Sequence, residues 1–151
     1  MPLFGKDLRM EELRSRGELR GAKTFGEHIA PKILVSKEGH IGILDRYEGE
    51  NDYFHINDVS DCKIAVHEEP VMESGLFSDR FAGTAIKSME LIFHLNDFDR
   101  PTIVVHLTYT EMKKDSFEYR NVKDEIDELE GTLRFLLRRE KPESPDGPTI
   151  P

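Results

Sequence analysis

Met89-Glu90-Leu91-Ile92-Phe93-His94-Leu95 places a large apolar residue at every odd position. Thr102-Ile103-Val104-Val105-His106-Leu107-Thr108-Tyr109 repeats the pattern with Ile103, Val105, Leu107 and Tyr109. Period two is the mark of a half-buried strand, because successive side chains leave opposite faces. Between the two lies Asn96-Asp97-Phe98-Asp99-Arg100-Pro101, rich in turn formers and ending in a proline that a central strand excludes. The pair therefore reads as an antiparallel hairpin. Beyond the polar break Lys113-Lys114-Asp115-Ser116, the residues Val122, Ile126, Leu129, Leu133, Leu136 and Leu137 recur at steps of three and four, so they line one face of a helix. Asn121 is placed to cap it, with Asp124 three residues on. Acids fill the first half and Arg134, Arg138 and Arg139 the last turns, which suits the helix dipole at both ends. Gly131, inside the run, disfavours the helix by roughly 1 kcal/mol against alanine, and the expectation is a close approach of helix to sheet there.

Working outward, residues 7–19 read as a helix capped by Asp7, with Leu8, Met10, Leu13 and Leu19 as a modest apolar side. Ile33-Leu34-Val35-Ser36 and Gly42-Ile43-Leu44-Asp45 form a second hairpin across Gly39, which supplies the positive φ a short turn needs. Tyr53-Phe54-His55-Ile56 and Lys63-Ile64-Ala65-Val66-His67 read as two further short strands. Residues 68–84 mix Glu68, Glu69, Pro70, Gly75 and Gly83 with scattered apolar residues, and the expectation is a mobile loop. The proline-rich stretch 140–151 is expected to be disordered. The division is thus 1–23 as helix and connection, 24–139 as the domain, and 140–151 as tail. Strands in succession followed by a helix, without βαβ alternation, give an α+β class with a mostly antiparallel sheet of about six or seven strands.

One domain is expected from 151 residues, enough for a proper core. With 37% hydrophobic and 34% charged residues and a mean hydropathy of -0.54, the composition is that of a soluble globule. No apolar run approaches the roughly 18 residues of a spanning helix, the start lacks a secretory signal, and Cys62 has no second cysteine to bond. A cytoplasmic location follows as the expectation. Thirty acids against 21 bases give a net charge of -9, which disfavours direct nucleic-acid or anionic-membrane binding. Residues 45–79 hold ten acids and two bases, a net of -8 and most of the total. Asp45, Glu48, Glu50, Asp52, Glu68 and Glu69 are the candidate acidic patch for a protein partner.

Three passages resemble the bacterial and phage pleckstrin-homology-like domains: Ile56-Asn57-Asp58-Val59-Ser60-Asp61-Cys62-Lys63-Ile64, then Leu91 to Asp97 with Arg100 to Val104, then Lys113 to Tyr119 leading into the terminal helix. Each is a short pattern, and their order carries the resemblance, across roughly residues 32–139. It implies a small partly open barrel closed by the long C-terminal amphipathic helix, with the N-terminal helix as an addition. Many such domains carry a long glycine-rich apolar insertion where this chain has the short polar Ser74–Gly83, so a membrane role does not transfer. Nor does phosphoinositide binding, since the first hairpin offers only Lys32 and Lys37 beside Glu38.

Catalytic signatures are sparse. If residue numbers across the hairpin sum to about 200, His94 and His106 stand opposite each other and could share a metal with Glu90; His55 and His67 read as ordinary strand residues. No Gly-x-Ser-x-Gly elbow, phosphate loop or metal-ligand spacing occurs. Cys62 reads as packed. The residues favour a non-catalytic binding module without cofactor or metal, acting through protein or peptide contacts and as a homo-oligomer. An acidic nucleic-acid mimic of the phage counter-defence type is the alternative, and a metal-dependent hydrolase built on the strand histidines is the second.

Overall fold

The structure is a computed structural model that describes residues 17–45, 51–76 and 79–140. After a single 3-10 turn at Gly17–Leu19 come β1 (Lys23–Phe25), β2 (Lys32–Val35), β3 (His40–Leu44) and β4 (Asn51–His55), then a second 3-10 turn at Ile56–Asp58. They are followed by β5 (Val59–Ser74), β6 (Asp79–Leu95), β7 (Thr102–His106), β8 (Met112–Lys113) and the helix α1 (Phe117–Glu140). The class is α+β. Strands β1 to β4 form one antiparallel sheet in sequence order, and β5, β6 and β7 a second, with β8 pairing the same strand β6 beside β7. The described strands number eight rather than about six or seven, and where a partly open barrel was expected they make two antiparallel four-stranded sheets. Of the expected N-terminal helix, residues 7–16 lie outside the described residues, and 17–19 form only the 3-10 turn. The expected tail beyond residue 140 lies outside them too.

The core forms where the apolar faces of both sheets meet the helix stripe. Ile33, Val35, Ile41 and Ile43 come from the first sheet, Leu91, Phe93, Ile103 and Val105 from the second, and Val122, Ile126, Leu129, Leu133 and Leu136 from α1. A smaller cluster on the outer face of the first sheet holds Leu34 and Leu44 under Leu19. Gly39 closes the β2–β3 turn at φ +97, and a Cβ there would stand 2.6 Å from Ile56 Cγ2. Only glycine fits.

Three expectations change. The helix starts four residues before Asn121, because Ser116 Oγ accepts a hydrogen bond from the Tyr119 backbone N–H at 3.1 Å and acts as the cap. Gly131 faces solvent with open space around it, so no close approach explains it. The stretch 68–84 is not a mobile loop: β5 runs through Ser74 and β6 begins at Asp79, paired from Ser74↔Asp79 back to the core. Bulges hid these strands. The register slips between His67 and Glu68 and between Pro70 and Met72, so period two breaks twice while pairing continues. At the second slip Gly83 takes φ +107, the geometry such a bulge favours in glycine.

Candidate functional site

The part of the fold that makes least use of its own apolar residues is the far end of the β5–β6 hairpin. Nearer the core, β6 is flanked by β5 on one side and by β7 (Glu90 to His94) or β8 (Ala85 and Ile86) on the other. The last outside support is the Lys114 N–H donating to the Thr84 carbonyl. Beyond Pro70↔Thr84 the two strands pair, among the described residues, only with each other out to Ser74↔Asp79, an arm about 14 Å long at the usual rise per residue. Met72 and Phe81 are direct cross-strand partners, 54% and 63% exposed, and Leu76 at the turn is 90% exposed. Glu69, Glu73 and Asp79 against Arg80 leave residues 69–81 with a net charge of -2. Moving outward, the Met72–Phe81 pair comes first, then Glu73 opposite Arg80 and Ser74 opposite Asp79, with Leu76 beyond them. Isolated exposed apolar residues are ordinary, but an exposed cross-strand apolar pair on a ribbon, with a further exposed leucine beyond it, is a concentration of apolar surface.

The acidic candidates divide. Asp45 follows β3 and Asp52 lies in β4, both on the first sheet; Asp45 accepts from the Tyr109 hydroxyl at 2.8 Å, and Asp52 pairs with Arg100 at 2.5 Å. Glu68 and Glu69 lie on β5 in the second sheet, with Glu68 bound to Lys114 at 3.1 Å. Glu48 and Glu50 lie outside the described residues. The patch read from the sequence is thus spread over two sheets, and three of its members hold the domain's own side chains.

The histidine pairing is overturned. Paired residue numbers in β6 and β7 sum to 196, so His94 faces Thr102 and His106 faces Glu90. The two rings are four residues apart along the ladder, about 13 Å. Glu90 instead stands between His106, with Nδ1 3.4 Å from Oε2, and His67, with Nε2 3.8 Å from Oε1. Each imidazole addresses a different oxygen. Among the described residues no group of three or more His, Cys, Asp or Glu side chains is arranged to hold a metal.

Cys62 is buried against the core, and burial pushes its thiol up to about 11 despite Arg134 nearby, which disfavours the thiolate at neutral pH. A polar cleft of about 280 Å³ lies between Glu27, His28, Thr108, Tyr109 and Glu118. Its His28 Nε2 is 4.0 Å from Glu27 Oε1, beyond hydrogen-bond reach for a general base and its orienting acid. Compared with protein-family models, with curated proteins and with solved structures, the chain gives no match. No helix among the described residues is long and apolar enough to cross a membrane.

A second surface feature went unread in the sequence. At the far end of α1 an apolar groove of about 420 Å³ opens between the helix and β2, floored by Val35 and Leu136 and walled by Phe135, which is 63% exposed. Lys23, Lys37 and Arg139 are the charged residues along it. Phe135 lies off the stripe, so its sequence position marks it only as a surface residue. The groove becomes visible once β2 is seen to pass beside the last turns.

Proposed function

We propose that this chain is a non-catalytic protein-binding module of pleckstrin-homology-like architecture, and that the β5–β6 arm is its contact element. Two antiparallel sheets with a C-terminal helix over their core support the architecture. The exposed Met72–Phe81 pair, with Leu76 beyond it, carries the functional reading. Apolar side chains on a ribbon contribute little to folding when half or more of their surface stays wet, whereas burying them in a partner removes that surface from water at about 25 cal/mol per Å². Along the arm, residues 70–74 of β5 pair with β6 alone among the described strands, which leaves an edge where another strand can add. The arm's net charge of -2 over residues 69–81 selects against anionic surfaces and favours an apolar recess with a basic rim.

The arm, more than the acidic patch, is the site, because Asp45, Asp52 and Glu68 are engaged within the domain. Capture on the immobilised full chain tests this, comparing wild type with a Met72→Ser/Phe81→Ser double variant against lysate of the source organism. The double variant keeps its melting temperature within about 4 °C and loses a protein that the wild type retains. Equal capture by both removes the arm from the function.

A further inference from the structure

We infer that the arm of one copy inserts into the apolar groove of another, so that the chain assembles head to tail. This rests on the reading of the arm as the contact element and names its partner. The two surfaces match in chemistry: the arm offers Met72, Leu76 and Phe81 with Glu73, Asp79 and Arg80, a net charge of -1, and the groove offers Val35, Phe135 and Leu136 beside Lys37 and Arg139, with Lys23 paired to Glu128. Lys23 is shared with Glu128 and Arg139 donates to the Lys37 carbonyl, so the basic rim is held in place rather than free to fold over the groove. Arm against arm would oppose two segments of net charge -2, which disfavours a symmetric contact.

The arm cannot fill its own groove. Lys114, just before α1, binds Glu68 at the arm's root, whereas Arg134 reaches Cys62 near the start of β5 and Arg139 reaches Lys37 beside the groove. Helix α1 therefore runs from the arm's root to the groove, and about 27 Å of helix separates Phe117 from Phe135. The arm extends β5 and β6 away from that end. A contact between different surfaces of identical chains leaves one arm and one groove open at the ends of each assembly, so it propagates unless the rotation closes a ring.

Sedimentation of the purified full chain tests this from the low micromolar to the millimolar range. The wild type is expected to rise from one chain of 17.4 kDa towards multiples with concentration, and to fall back as salt screens the charged rim. Phe81→Asp in the arm and Phe135→Asp in the groove each abolish the rise; both positions are exposed, and Phe81→Ser and Phe135→Ser replace them if either aspartate lowers the melting temperature. Mixing the arm variant with the groove variant restores association, but only to two chains, because one intact arm meets one intact groove. Restoration failing, or association surviving Phe135→Asp, overturns the inference. A wild type that stays a single chain throughout overturns it as well, and leaves the arm reading intact if the arm variant still loses its lysate partner; an arm variant that changes neither result removes both.

Discussion

At the residue scale Glu125 does more than balance the helix dipole. Its Oε2 accepts from the backbone N–H groups of Gly26 and Glu27 and its Oε1 from those of His28 and Ile29, at 2.7 to 3.0 Å. One carboxylate ties the loop between β1 and β2 to the helix. Burial raises this carboxyl, and the four N–H donors more than reverse the effect, holding it below the usual glutamate value. A lowered folded value means stability that is fully present above the unfolded value near 4.3 and lost as pH falls through the folded one. Glu125→Gln, which turns an amide NH₂ towards two of the donors, should lower stability by about 2 kcal/mol at neutral pH in urea titration. The difference from wild type should narrow as pH falls below the unfolded value and through the lowered folded one. Gly131 is the converse case, a helix-interior glycine with open space and no positive φ. Gly131→Ala should stabilise by about 1 kcal/mol, raising the melting temperature by about 2–4 °C. Sequence alone marks Glu125 as one acid among seven on the helix; its four partners lie nearly a hundred residues away, so nothing local distinguishes it.

Among the elements, the hairpin β6–β7 and the helix stripe were legible because each obeys one uninterrupted period. Tyr119 joins the stripe one turn earlier than the apolar spacing suggested, since Ser116 begins the helix. Ser116→Ala should lower stability by about 1 kcal/mol without altering the core, as thermal melting would record. The arm was illegible for a specific reason. The extra residues at the two bulges between Met89 and Phe81 shift the apolar phase, from Met89, Leu91 and Phe93 to Ile86 and then to the outward Phe81, so the period of Met89–Leu95 does not carry on into the arm. A glycine at Gly83 reads as a loop in sequence and serves as the bulge that lets the ribbon continue.

For the whole molecule, the helix is the element that joins the two sheets, and its centre bears most of that role. Leu129 and Leu133 are fully buried where the apolar faces converge. Leu129→Ala should therefore destabilise by about 2–5 kcal/mol, read as a fall in the urea midpoint. What the sequence by itself determined is the α+β class, the hairpin, the β2–β3 turn at Gly39 and the buried helix face, because those depend on local period and on glycine's freedom at positive φ. Tertiary structure alone decided the register that parts His94 from His106, the capture of Asp45, Asp52 and Glu68 by distant partners, and the placing of an apolar arm and an apolar groove at opposite ends of α1. Those follow from which strands meet and by how many residues they slip, and a single chain's periodicity carries no record of either.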